Sequence, residues 1–264
     1  MFNMKKKLVI MGAGKLATII ATCWKEGKMP NYDLIGIYSR SEQKAKLLAE
    51  SVGTKYTVDK SEFLSWNADI VAEAASVQAV KENVIDILKA NCDFVSLAIG
   101  AFADTEFYTE AMNVAQAMNR KIYIASGAIG GFDIMQTARL MSSIEAEIVS
   151  ETGPQYLTKT PIYKSEMMDS KQTVEAFHGN AKQAIELLPT RVNVAVATSL
   201  ATCGPLDTNV TIQSTPGFVG DTHTIYVKGE EVDAKIAIYS KTSRIAGYSV
   251  VALLNNIASS VQFF

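Results

Sequence analysis

The chain has 264 residues, enough for one large domain or two modest ones. Hydrophobic residues make up 48% and charged residues 20%, with a net charge of -2, so nothing global suits nucleic acid or an anionic membrane surface. No apolar run approaches the length of a bilayer span. The start, Met1-Phe2-Asn3-Met4-Lys5-Lys6-Lys7, has the charge of a leader peptide, but the apolar stretch after it is broken by Gly12, Gly14 and Lys15, which argues against one. Cys23, Cys92 and Cys203 are widely spaced and odd in number, without metal-ligand spacing. With two histidines and no Cys pair, no metal site is expected, and a reducing, cytoplasmic setting fits best.

In chain order, the first half alternates short apolar runs with helical periodicity. Strands are expected at Leu8–Met11, Leu34–Tyr38, Ile70–Ala74, Phe94–Leu97 and Ile122–Ala125. Helices are expected near Lys15–Glu26, Glu42–Ser51, Val77–Ala90 and Thr105–Asn119. That rhythm predicts an α/β domain with a doubly wound parallel sheet over residues 1–126. After Ser126-Gly127-Ala128-Ile129-Gly130-Gly131 the character changes. A helix near Phe132–Ile144 is followed by strand-like runs at Glu145–Thr152, Thr173–Phe177, Asn209–Gln213, Thr222–Val227 and Asp233–Tyr239. Helical patterns at Asn180–Leu188 and Asn193–Cys203 interrupt them, while the runs from Asn209 onward follow one another directly and imply antiparallel pairing. Residues 127–240 therefore read as a second, α+β domain. The last helix, Ser243 to about Ser260 within the segment 241–264, is expected to complete the first domain.

The first strand runs straight into Gly12-Ala13-Gly14-Lys15-Leu16-Ala17 and then a helix. Gly12 permits a tight turn, Gly14 lets backbone approach a pyrophosphate, and the small Ala17 lets the helix pack closely on the strand. Free N–H groups at the helix start favour an anion. Strand, Gly-x-Gly-x-x-Ala and helix in that order point to a Rossmann dinucleotide site, against an ordinary strand–helix turn. At the end of the second strand, where an acidic residue normally bonds the ribose of NAD, the sequence reads Tyr38-Ser39-Arg40-Ser41 with Lys44 one turn on. No carboxylate stands there to repel a 2′-phosphate, so NADP is favoured over NAD, with Ser39 and Arg40 as its partners; the alternative is a solvated basic loop.

Proton handling needs a titratable group, and the chain offers His178 and His223. His178 sits just before a predicted helix, where a surface or capping role is the plain reading. His223 opens a predicted strand after Gly220-Asp221-Thr222, and Asp221 would orient or acidify its surroundings. The loop Ser126–Gly131 lies at the carboxyl end of a predicted parallel strand, where ligands bind, and reads equally as a hinge. Asn193 reads either as a helix cap or as a partner for a carboxamide.

Several stretches together resemble the L-aspartate dehydrogenase family over nearly the whole chain. Ser126-Gly127-Ala128-Ile129-Gly130-Gly131-Phe132-Asp133 is similar to its Ser-Gly-Ala-Ile-Gly-Gly-x-Asp signature. Gly12–Ala17 resembles its nucleotide loop, Glu73-Ala74-Ala75-Ser76-Val77 its fourth-strand segment, and Gly100-Ala101-Phe102-Ala103-Asp104 its Gly-Ala-x-Ala-Asp. Asn193-Val194-Ala195-Val196-Ala197, Lys241-Thr242-Ser243 and Tyr248-Ser249-Val250-Val251 look like further family segments. The resemblance implies that His223 is catalytic and that Ala128 and Asn193 contact the nicotinamide, with Gly12, Ala13, Gly14, Lys15, Leu16 and Ala75 in the cofactor set. It also implies a homodimer that interconverts L-aspartate with iminoaspartate, or oxaloacetate and ammonia, and feeds NAD synthesis. The chain departs from the pattern near the expected substrate pocket. The family's Asn-x-His-Glu-Ile reads Asp221-Thr222-His223-Thr224-Ile225, and its Ala-Asp-Pro reads Ser214-Thr215-Pro216. Two other functions compete: a reductase of another imine or keto acid, of the dihydrodipicolinate kind, and a silent nucleotide-binding sensor with no use for His223.

Overall fold

The computed structural model describes residues 5–189 and 192–263, so Met1–Met4 of the leader-like start lie outside it. The chain divides into two compact units, Ser126–Ile245 and the described residues on either side of that segment.

The first unit runs β1 (Lys6–Met11), α1 (Lys15–Lys25), β2 (Tyr32–Tyr38), α2 (Glu42–Val52), β3 (Tyr56–Thr57), α3 (Lys60–Leu64), β4 (Ile70–Glu73), α4 (Val77–Lys89), β5 (Asp93–Ser96), α5 (Thr105–Ala117) and β6 (Ile122–Ile124). All six strands are parallel, in the order β3-β2-β1-β4-β5-β6. Leu8, Val9, Ile10 and Met11 are all buried, as a continuous apolar run must be when helices cover both faces of its strand. On α1 the buried residues Ala17, Ile20 and Ala21 recur at helical spacing against that sheet. Replacing Ile20 by Ala would cost about 2–5 kcal/mol. The order reverses between β1 and β4, so the loops leaving those two strands diverge and open a crevice at their carboxyl ends.

In this unit, β3 and α3 had no counterpart among the elements expected from the sequence. The two-residue β3 and five-residue α3 fill the stretch between α2 and β4. Asp59 caps α3 by accepting the Glu62 N–H at 2.9 Å. Phe63 on α3 lies flat against Tyr38, with ring centroids 4.6 Å apart, which fixes the end of β2.

The second unit runs α6 (Phe132–Met141), β7 (Glu145–Thr152), α7 (Glu166–Asp169), β8 (Val174–Asn180), α8 (Ala181–Leu187), α9 (Asn193–Ala201), β9 (Thr208–Ser214), β10 (Asp221–Lys228) and β11 (Asp233–Ser240). Its five-stranded sheet has the order β11-β10-β7-β9-β8. The expected antiparallel succession from Asn209 onward holds for β10 and β11 only. β9 lies parallel to β7 and antiparallel to β8, with β7 between it and β10. A parallel pair needs a long crossover, and the β8, α8 and α9 segment supplies it. Alternation along a strand reveals which face is buried but not which strand lies alongside.

Two capping assignments also change. His178 lies within β8, its Nδ1 3.1 Å from the Thr211 hydroxyl. The cap of α8 is Asn180, which accepts the Gln183 N–H at 2.9 Å while Gln183 accepts the Asn180 N–H at 2.9 Å. Asn193 is the first residue of α9, and the cap position belongs to Val192.

The last helix, α10 (Arg244–Ala258), buries Val250, Val251 and Leu254 in the core of the first unit with Leu8, Ile10 and Ile20. The Tyr32 hydroxyl donates to the Leu254 carbonyl at 2.7 Å, and the Asn255 amide donates to the Lys28 carbonyl at 2.9 Å. Gly247 brings α10 against α1 so closely that a Cβ there would sit 3.0 Å from Ile19. No helix among the described residues is long and apolar enough to cross a membrane.

Candidate active site

The crevice between β1 and β4 opens into a cavity of about 300 Å³. Its floor is Gly12, Ala13 and Gly14 after β1; its sides are Ser39, Arg40, Ser41 and Lys44 after β2, and Ala74, Ala75 and Ser76 after β4. Gly12 has φ +126°, and a Cβ there would stand 2.4 Å from the Ala74 carbonyl oxygen, so only glycine fits. At Gly14 the situation is opposite. Its φ is -92° and nothing lies within 4 Å of a Cβ position. The protein itself gives no reason for glycine at this position; an approaching pyrophosphate would. Gly14 precedes α1 with no side-chain cap, leaving the first-turn N–H groups for an anion. Arg40 and Lys44 are cations on the wall, and no carboxylate lines it among the described residues. These residues fit a dinucleotide with its phosphates at Gly14.

Lys15 and Leu16 open α1 but do not line the cavity; Lys15 is exposed and Leu16 packs against the core. The sequence reading passed over the device that holds Ala75. Glu73, the last residue of β4, is completely buried. One carboxylate oxygen accepts the Ala75 N–H at 2.6 Å; the other accepts the N–H groups of Leu97 and Ala98 at 3.0 and 2.8 Å. It thereby ties the loops leaving β4 and β5 together beside the crevice. Burial pushes its carboxyl above the ordinary range, and the N–H donors oppose that shift. The signal was present in the sequence: an acid directly after the buried run Ile70-Val71-Ala72.

The second unit has its own cavity, of about 410 Å³. His223 lies on β10 directly opposite Ser150 on β7, which in turn faces Ile212 on β9. Asp221 faces Thr152 in the next row on the same side of the sheet. All five line the cavity, closed by Leu157, Leu188, Val192 and Ser243. The entry to β10 is fixed by Gly220, at φ +89°, where a Cβ would meet the Ser240 carbonyl oxygen at 2.3 Å. The Ser150 hydroxyl and His223 Nδ1 are 2.9 Å apart. Nε2 has no partner among the described residues. Burial lowers the His223 pKa from 6.5, with Asp221 pulling the other way, so the ring is neutral near pH 7. A neutral imidazole held by one nitrogen and open at the other is equipped for proton transfer. Ala128, in the loop before α6, and Asn193, next to Val192, belong to the same unit but do not line this cavity.

A glycine-built nucleotide crevice in a parallel sheet, in a chain whose second sheet carries a cavity-lining histidine, is the make-up of an NAD(P)-dependent oxidoreductase. Residues 12–125 match the family model of the homoserine dehydrogenase NAD binding domain, and residues 133–257 match that of the aspartate dehydrogenase C-terminal domain. The chain is 31% identical to the L-aspartate dehydrogenase of Methanocaldococcus jannaschii, over 97% of this chain and 98% of that one. It is 32% identical to the L-aspartate dehydrogenase of Methanospirillum hungatei, over 96% and 97%. The crystal structure of aspartate dehydrogenase from Thermotoga maritima has the same fold, with a TM-score of 0.79 at 23% identity, covering 98% of this chain and 99% of that one. This chain belongs to the L-aspartate dehydrogenase family.

Proposed function

We propose that this protein oxidises L-aspartate with NADP, or less readily NAD, to iminoaspartate, which takes up water to give oxaloacetate and ammonia and so feeds NAD synthesis. The supporting observation is the His223–Ser150 pair on the wall of a cavity lined by both polar and apolar side chains, in a chain alike from end to end to proteins named L-aspartate dehydrogenases.

The chemistry supplied by the bound nucleotide is acceptance of a hydride at the nicotinamide. The rest falls to the chain. Residues 1–126, completed by 241–264, act as the dinucleotide domain, with Gly12, Ala13, Gly14 and Ala75 around the phosphates, Lys15 and Leu16 contributing only their first-turn backbone N–H groups, and Ser39 and Arg40 on the 2′-phosphate. Residues 127–240 act as the substrate and dimerisation domain of a cytoplasmic homodimer, with Ala128 and Asn193 toward the nicotinamide. With Nδ1–H donating to Ser150, His223 Nε2 takes the proton of the water that adds to the imine carbon, and returns it to the departing ammonia. In reverse it serves ammonia attack on oxaloacetate.

The test is absorbance at 340 nm with L-aspartate, other amino and keto acids and a dihydrodipicolinate-type imine, each with both cofactors. L-aspartate with NADP should give the highest kcat/KM. Turnover of another substrate in its place refutes the substrate assignment, and no turnover of any favours the silent sensor.

A further inference from the structure

Resting on the aspartate reading above, we infer that Asp221 is the specificity residue that holds the substrate's amino nitrogen beside His223. Asp221 and His223 are two apart on β10 and point to the same side of the sheet, into one cavity. The other polar side chains on that wall are hydroxyls, and they are largely engaged: Ser150 with His223, and Thr152 with the Gly220 carbonyl at 3.4 Å. The Asp221 side chain makes no hydrogen bond or ion pair among the described residues beyond its electrostatic influence on His223, and it is the one charged group among the described residues lining the cavity. A carboxylate on the wall of this cavity, with no cation among the described residues lining it, offers a site for one. His223 does not supply it, because burial keeps that ring neutral near pH 7. Of the groups on L-aspartate, Asp221 repels both carboxylates and attracts only the ammonium. One residue therefore both selects an amino acid and sets its orientation, nitrogen toward β10.

The assignment gives the nitrogen a defined path. The α-ammonium passes one proton to His223 Nε2, leaving a neutral amine, and the imidazolium, whose pKa is lowered by burial, gives that proton to solvent and is neutral again before water adds to the imine. The neutral amine's lone pair can then form the C=N bond of the iminium as C2 gives up its hydride, which a bound oxidised nicotinamide would accept. Asp221 faces a cation before and after the step. Its place is also where this chain departs from the Asn-x-His pattern it resembles.

The test is Asp221→Asn, which keeps shape and hydrogen bonding but removes the charge. Two ligands are compared: L-aspartate, and succinate, its counterpart without the amino group, as a competitive inhibitor. Exchanging a charge-assisted hydrogen bond for a neutral one should raise the KM for L-aspartate about 5–10-fold. The Ki of succinate should fall, because a repelling charge has gone. The acid limb of kcat/KM should move to lower pH, since Asp221 raises the His223 pKa. NADP affinity and thermal stability report that the variant is folded; if it is not, Asp221→Ser gives the same comparison. Equal changes for aspartate and succinate, or none, overturn the assignment while leaving the aspartate reading in place. A wild type inert toward L-aspartate overturns both.

Discussion

Glu73→Gln is the sharpest probe of how the nucleotide crevice is built. In the native protein both carboxylate oxygens accept backbone N–H groups: one from Ala75, and two, from Leu97 and Ala98, on the other side. A glutamine amide has one oxygen. Turned toward Leu97 and Ala98, it keeps those two bonds and sets its NH2 against the Ala75 N–H. One buried donor left unsatisfied costs about 1–3 kcal/mol. Glu73→Ala strands all three, an upper bound of about 3–9 kcal/mol, comparable to the whole stability of a domain. The glutamine variant should therefore fold with a lower urea midpoint at unchanged m-value, and the alanine variant should fail to fold stably. Because Ala75 lines the crevice, Glu73→Gln should also weaken NADP binding in a fluorescence titration. The pH dependence has a definite sign. The Glu73 pKa is raised by folding, so its contribution is fully present below 4.5 and is lost as pH rises through the folded value. Glu73→Gln should remove that slope. A variant with an unchanged midpoint and unchanged NADP affinity would refute the role assigned to Glu73.

The two glycines of the nucleotide loop should separate stability from binding. Gly14→Ala meets open space, so its melting temperature should match the wild type while NADP binding falls; Gly12→Ala forces a Cβ against the Ala74 carbonyl and should lose both. Arg40→Ala should weaken NADP about ten- to a hundred-fold by isothermal calorimetry and NAD far less; equal losses would contradict its place at the 2′-phosphate. His223→Ala should lower turnover of L-aspartate about 10²–10⁴-fold with NADP affinity nearly unchanged, whereas His178→Ala, on a strand away from the cavity, should do little. Because the His223 pKa lies below 6.5, wild-type activity should hold as pH falls through that value and fail only beneath it. The same depressed pKa means that its contribution to stability is lost as pH falls through 6.5 toward the folded value.

What the sequence disclosed follows from what side-chain pattern encodes. Buried parallel runs such as Leu8–Met11 and Ile70–Ala72 are apolar on both faces, and helices alternate with them, so the doubly wound sheet was legible from the pattern. Gly12 was legible because backbone at φ +126° admits no other residue. β3 and α3 were not, since two and five residues are too few for any period to repeat. Neither was the parallel pairing of β7 with β9: a strand's neighbour is chosen by the whole sheet, and local alternation is silent on it.

The site divides along the same line. His223 carried meaning only through the resemblance, because one histidine at a strand start is equally at home as structure. Its partner Ser150 lies 73 residues away and meets it only through the register of β7 against β10. That register is set by the apolar alternation of Ile148 with Ile225 and Ala146 with Val227, all buried. A slip of one residue in either strand would turn every one of these side chains to the other face and carry Asp221 and His223 out of the cavity. The same core pairs that hold the second sheet together are therefore what places a carboxylate and an imidazole side by side, and a polar replacement at Ile148 should cost activity well before it is read as a loss of fold in nucleotide binding by the first unit.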